Sequence, residues 1–252
     1  MHPKPQFEEL DYRPTPLGEL ILRRRTILSL NNQEIHEIIL GDEYLMSSLF
    51  TAVEIALSNL GLAKAREQFP DEPAMDVVVG GLGLGYTAKA ALENGNLGSL
   101  LVVDYLKPVI EWHEQGLVPL GPELTTDDRC RFVHGDFFRL ALGSDEGRSF
   151  HPEEPEKQFH AVLLDIDHSP DKLLHEQHGS FYSAEGLAKF ASRILPGGVF
   201  AMWSDDPPEE NFTTALEQVF ENCESHIVEF YNPLQDKTSA STVYVATVPD
   251  RT

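Results

Sequence analysis

The stretch Val77-Val78-Val79-Gly80-Gly81-Leu82-Gly83-Leu84-Gly85 decides the fold. Three β-branched residues in a row read as a short strand buried on both faces, and the glycines after them as a tight turn into a helix. Glycines at such a turn let the backbone approach a ligand closely, and the helix start adds N–H groups that have no internal partner. A glycine-rich turn can also serve packing alone, so its surroundings have to decide.

Downstream, short apolar runs alternate with helical patterns. Leu100–Val103, Arg131–Val133, Ala161–Leu164 and Val199–Trp203 read as strands. Leu187, Phe190, Ala191, Ile194 and Leu195 share one helix face, as do Phe212, Ala215, Leu216, Val219 and Phe220. This alternation predicts a parallel sheet covered on both sides. Ile227–Tyr231 and Thr242–Ala246 are joined by a link too short for a helical crossover, so they should pair antiparallel. Upstream, Phe50, Val53, Leu57 and Leu60 form a stripe at helical spacing. Gly18–Arg25, Glu34–Leu40 and Tyr44–Met46 read as short strands, and residues 1–16, with Pro3, Pro5, Pro14 and Pro16, as irregular. The expected fold class is α/β: a Rossmann-like seven-stranded mixed sheet with a C-terminal antiparallel hairpin, preceded by a small N-terminal β unit. The boundaries are an N-terminal β-hairpin segment over 1–49 and a Rossmann-like nucleoside-binding domain over 50–252.

Acids stand at three successive strand ends. Asp104 follows the second strand, where a carboxylate can accept both hydroxyls of a ribose. Asp136 follows the third, placed for an adenine amino group with Phe137 beside the ring, and Asp165 follows the fourth. Strand C-termini are where open α/β sheets bind ligands. Taken singly, each acid can equally cap the segment after it. The glycine spacing is G-x-G-x-G and not G-x-G-x-x-G, which weakens the case for NAD.

Gly80–Gly85, Asp104, Gly135-Asp136, Asp165 and Leu195-Pro196-Gly197-Gly198-Val199 together resemble the class I S-adenosylmethionine-dependent methyltransferase fold. The stretch Asp104-Tyr105-Leu106-Lys107-Pro108-Val109-Ile110-Glu111-Trp112, and Phe181-Tyr182-Ser183 before Leu187, are more closely similar to spermidine synthases, the polyamine aminopropyltransferases. The resemblance implies S-adenosylmethionine or its decarboxylated form as co-substrate. It implies a binding set of Gly81, Gly83, Gly85, Asp104, Tyr105, Asp136, Phe137 and Asp165, and a catalytic set of Asp165, Asp167 and Tyr182. In the implied reaction an amine attacks the carbon beside the sulfonium, Asp165 accepts its proton and Asp167 holds a distal ammonium. The implied partners are a small cationic amine and a second copy in a homodimer.

Two departures are plain. The family's acid inside the glycine loop is absent, with Leu82 and Leu84 there instead, and its D-x-x-D-P becomes Asp165-Ile166-Asp167-His168-Ser169-Pro170. A small-molecule methyltransferase and a non-catalytic nucleoside-binding relative therefore stay open.

Composition narrows the classes further. Lys plus Arg number 19 against 41 Asp plus Glu, a net charge of −22, which argues against nucleic acid. No apolar run approaches a membrane span, and the polar start Met1-His2-Pro3-Lys4-Pro5 carries no signal core, so a cytoplasmic protein is expected. Cys130 and Cys223 form no metal or disulfide framework and read as packing residues. His168, His175 and His178 lack a full ligand signature, so no metal is expected. Arg23, Arg24 and Arg25 alternate faces on a strand and read as ion-pairing residues. Tyr44, Ser47 and Ser48 can line a pocket or simply pack; Ser204–Glu210 can extend an acidic wall or stay a solvated loop.

Overall fold

The computed structural model describes residues 7–144 and 149–250. Its first four strands are β1 (Phe7–Thr15), β2 (Gly18–Ile27), β3 (Gln33–Leu40) and β4 (Glu43–Ser47), joined in that order as one antiparallel sheet. The N-terminal unit is thus a four-stranded sheet, larger than the expected hairpin. The expectation of irregular chain before Thr15 is corrected over the described residues 7–15, which pair with β2 on both sides of a register break between Glu9 and Asp11. Pro14 fits because β1 is an edge strand, where a missing N–H breaks no ladder on the open side. Met1–Gln6, including Pro3 and Pro5, lie outside the described residues. The arginine alternation appears as ion pairs on opposite faces: Arg23 and Arg25 reach Glu37, whereas Arg24 reaches Glu8.

After the helix α1 (Ala52–Gln68) come β5 (Met75–Gly80), α2 (Tyr86–Leu92), β6 (Leu97–Asp104), α3 (Lys107–Glu114), α4 (Gly121–Thr126), β7 (Cys130–His134), α5 (Phe137–Leu142) and β8 (Phe159–Leu164). Then follow α6 (Ala184–Ala191), β9 (Ile194–Ser204), α7 (Glu210–Glu217), β10 (Glu221–Asn232) and β11 (Lys237–Thr247). The second sheet has seven strands in the order β10-β11-β9-β8-β5-β6-β7. β9, β8, β5, β6 and β7 run parallel; β11 pairs antiparallel with β9, and β10 with β11. Two expected helices end sooner than their stripes: Ile194 and Leu195 open β9, and Val219 and Phe220 lie beyond α7.

Alternate strand residues feed two cores, as a period of two requires. Val77, Val79, Leu100, Val102, Ala161 and Leu163 face α1, and the buried Leu20, Leu22, Ile38 and Leu40 of the N-terminal sheet join the same apolar cluster. Val78, Leu101, Val103, Val162 and Leu164 face the other way, into a phenylalanine-rich cluster. There Phe181, Phe190 and Phe200 meet edge to face or tilted, at centroid distances of 5.0–6.2 Å. Aromatic rings bury large areas, and these orientations add a favourable quadrupole term. The order of strand addition reverses about β5, with β6 on one side and β8 on the other, and there the C-terminal strand ends open a crevice. Among the described residues no helix is long and apolar enough to cross a membrane.

Candidate functional site

A cavity of about 240 Å³ lies outside the C-terminal ends of β5, β6, β7 and β8. Gly81, Gly83, Asp104, Tyr105, Asp136, Phe137 and Asp165 all reach its wall. Gly85 does not: its φ of +92° turns the chain into α2, and a Cβ there would press on Leu124 and His113. Gly81 cannot be replaced easily either, because its φ is +96° and a Cβ would overlap the Asp165 carbonyl oxygen.

Asp104 pins the glycine loop. Its Oδ2 accepts from Leu82 N at 2.9 Å and its Oδ1 from Leu106 N at 2.7 Å. Each carboxylate oxygen has two lone pairs, so both can still accept from a ligand hydroxyl. Burial raises the Asp104 pKa, against the lowering effect of these backbone donors. Asp104 thus caps the turn at Leu106 and not α3 itself, whose N-cap Leu106 receives no side-chain bond, and this role coexists with a place on the cavity wall. Asp136 also caps: its Oδ1 accepts from Arg139 N at 3.1 Å at the start of α5. Phe137 is 2% exposed and stacks on Phe150 at 4.9 Å, presenting only part of its ring to the cavity. Tyr105, in contrast, is 43% exposed at the rim.

Asp165 stands just past β8, and its Oδ2 accepts from Thr87 Oγ1 at 2.6 Å. Desolvation pushes its pKa up to about 6, with the Thr87 hydroxyl opposing that rise. Glu54, on the first turn of α1, reaches the same wall. Burial and then the charge of Asp165 push Glu54 up to about 8. The two carboxyls therefore titrate as a pair, burial and their mutual repulsion favouring a shared proton over two negative charges.

Asp167 and Tyr182 are not brought to the cavity. Asp167 is 3% exposed, and its carboxylate is shared among Leu174 N (2.8 Å), His178 Nδ1 (2.9 Å) and Tyr182 Oη (2.8 Å). Burial first, and then the Asp167 charge, hold the Tyr182 phenol well above its usual pKa, so it stays a donor. What this network does is fix the segment after Asp167: Leu174, His175, Gln177 and His178 form one wall of the cavity. His178 also lies flat on Phe138 at 3.9 Å. Among the described residues no cluster of three metal-ligating side chains occurs.

Several groups at the site escaped the sequence reading: Glu54, Thr87, Met46 and Trp203. Met46 covers the glycine loop, its sulfur accepting from Leu84 N at 3.0 Å. Trp203 lines the cavity, and its indole N–H is buried without a partner among the described residues. Of the acidic loop after β9, Asp206 pairs with Lys172 at 2.5 Å, away from the cavity.

By sequence, the chain matches no family model and no curated protein. By structure it is similar to a spermidine synthase solved in complex with the transition-state analogue AdoDATO, with a TM-score of 0.68 at 13% identity, over 95% of this chain and 73% of that one. The spermidine synthase of Thermotoga maritima gives a TM-score of 0.67 at 13% identity, over 95% and 72%. Human methyltransferase-like protein 13, solved in complex with SAH, gives 0.55 at 15% identity, over 79% and 83%. The seven-stranded mixed sheet with its antiparallel C-terminal hairpin is thus a fold that this chain shares with spermidine synthases and with a methyltransferase-like protein.

Proposed function

We propose that the chain is a spermidine synthase-like transferase, moving an aminopropyl group from decarboxylated S-adenosylmethionine to an amine. The observation that carries this reading is the charge of the cavity. Glu54, Asp104, Asp136 and Asp165 line it, and no lysine or arginine does among the described residues. A donor that is cationic and lacks a carboxylate suits such a wall; an intact methionine carboxylate meets no cation there. In this reading Asp104 takes the ribose, Asp136 and Phe137 the adenine, and the backbone at Gly81 and Gly83 lies along the side chain of the donor.

The acceptor nitrogen attacks the carbon beside the sulfonium. A C–N bond forms, the C–S bond breaks with its electron pair going to sulfur, and methylthioadenosine leaves. The nitrogen loses a proton, and Asp165, at the strand end beside Glu54, accepts it. Donor and acceptor are both cationic before reaction, so the acids also offset their repulsion. Asp167 and Tyr182 act here as positioning residues through the wall that they hold.

Methyl transfer is the second reading, favoured by one observation: the loop side chains Leu82 and Leu84 are buried and leave no acid there for the donor's amine. Product analysis separates the two. With decarboxylated S-adenosylmethionine and an amine panel, release of methylthioadenosine is expected. Release of adenosylhomocysteine from S-adenosylmethionine, with no methylthioadenosine from the decarboxylated donor, overturns the proposal.

A further inference from the structure

A second cavity, of about 550 Å³, adjoins the first. The two share Leu45, Met46, Glu54 and Trp203, so Glu54 is the one carboxylate that faces both. The remaining walls come from the N-terminal sheet, the start of α1 and the β10–β11 hairpin, among them Tyr44, Phe50, Phe230 and Ser239. It is large enough for a ligand of drug-like size.

Its chemistry is uneven. Away from Glu54 the wall is chiefly rings and aliphatic side chains; Phe50 and Phe230 meet with centroids 5.9 Å apart. Its buried acid, Glu37, is already held by Arg23 at 2.7 Å and Arg25 at 2.9 Å. The other acid there, Asp205, is exposed and bonded by Ser241 Oγ at 3.4 Å, where water screens its charge. A cation is therefore welcome at one end, beside the Glu54–Asp165 pair and the Trp203 ring, and less well served inside the rest.

We propose that this second cavity takes the acceptor, and that the acceptor is a primary amine on an apolar, ring-bearing body which enters amine first toward Glu54. The proposal rests on the transferase reading above and departs from a simple diamine. A diamine would set its distal ammonium among Phe50, Phe230 and Arg25, where the acid without a cationic partner among the described lining residues, Asp205, is exposed and screened by water. An arylalkylamine places its single charge where the two cavities meet, beside the coupled carboxyls of Glu54 and Asp165, and its ring against rings. The charge of −22 on the whole molecule favours the approach of either.

Calorimetry tests this in two stages. Methylthioadenosine is titrated first into the wild-type protein and into Ser239→Trp, which fills the second cavity from β11 without touching the first. Then 2-phenylethylamine and 1,4-diaminobutane are titrated separately into each complex. Methylthioadenosine should bind both proteins alike. 2-Phenylethylamine should bind the wild-type complex at least tenfold tighter than the diamine, and Ser239→Trp should lose at least tenfold in its affinity. A diamine that binds as tightly as 2-phenylethylamine overturns the acceptor class. An unchanged 2-phenylethylamine affinity in Ser239→Trp overturns the cavity. Should Ser239→Trp fail to fold, the wild-type preference between the two amines still decides the class. Should methylthioadenosine bind neither protein, the nucleoside reading falls, and amine titration into the free proteins still decides the second cavity.

Discussion

Replacing Asp165 with asparagine should make the protein more stable and nearly inactive at once. The carboxyl is enclosed between β8 and the glycine loop, and burial lifts its pKa from 3.8 to about 6. An unfolded chain titrates the same group near 4. The folded state therefore holds the proton more tightly, and the ionised form costs stability. Below about pH 4 both states are protonated and the cost is absent; it grows as pH rises through 6 and is complete above that. The gap between about 4 and about 6 corresponds to at most roughly 3 kcal/mol at pH 7.5. Asparagine carries no charge and still offers an oxygen to Thr87 Oγ1. Asp165→Asn should thus melt higher than wild type at pH 7.5, by roughly 2–4 °C for each kcal/mol recovered. The gain should vanish at pH 4. Meanwhile single-turnover release of methylthioadenosine should slow about 10²–10⁴-fold, the usual contribution of a general base. Thermal melts at both pH values and the single-turnover rate are the measurements. A variant with the wild-type rate refutes the base assignment. A variant that melts lower at pH 7.5 refutes the electrostatic argument and makes Asp165 a structural anchor.

Three other substitutions probe the frame around that carboxylate. Asp104→Ala leaves the N–H groups of Leu82 and Leu106 unpaired, at about 1–3 kcal/mol each, and should abolish calorimetric binding of methylthioadenosine. Gly81→Ala forces a side chain into a φ of +96° against the Asp165 carbonyl; denaturant unfolding should show a loss of at least about 1–3 kcal/mol, together with loss of nucleoside binding. Tyr182→Phe removes only the donor to Asp167 and should cost about 1 kcal/mol of stability while kcat stays within a few-fold; a hundredfold fall in kcat at unchanged KM would return Tyr182 to a catalytic role.

The parallel sheet was legible because its strands are buried on both faces. A run such as Val77-Val78-Val79 has no polar side to hide, and each residue finds one of two cores. β1 was hidden for the opposite reason. Phe7–Thr15 is an edge strand rich in charge, and its Glu8 is answered by the cross-strand Arg24, a pairing that no local pattern announces. The helix ends were blurred where one element's stripe runs into the next. Ile194 is apolar at helical spacing from Phe190, yet it pairs with Phe159 as the first residue of β9.

The site divides in the same way. Topology puts the ends of neighbouring strands on one rim, so Asp104, Asp136 and Asp165 could be read together without knowing any loop. Where a carboxylate points is a different matter, decided by which N–H and O–H groups lie nearby. Asp167 is two residues from Asp165 and turns instead to Leu174, His178 and Tyr182, because the segment after it folds back over the cavity. Glu54 was concealed by composition: in a chain with 41 acids, one more on a helix is unremarkable. Its signal was positional. Three, four and seven residues further along α1 stand Leu57, Ser58 and Gly61, all buried; Ser58 bonds the Thr87 carbonyl, and Gly61 packs close against Leu163. An acid that opens such a face cannot point freely to water, and one turn nearer the strand ends it meets the carboxyl of Asp165.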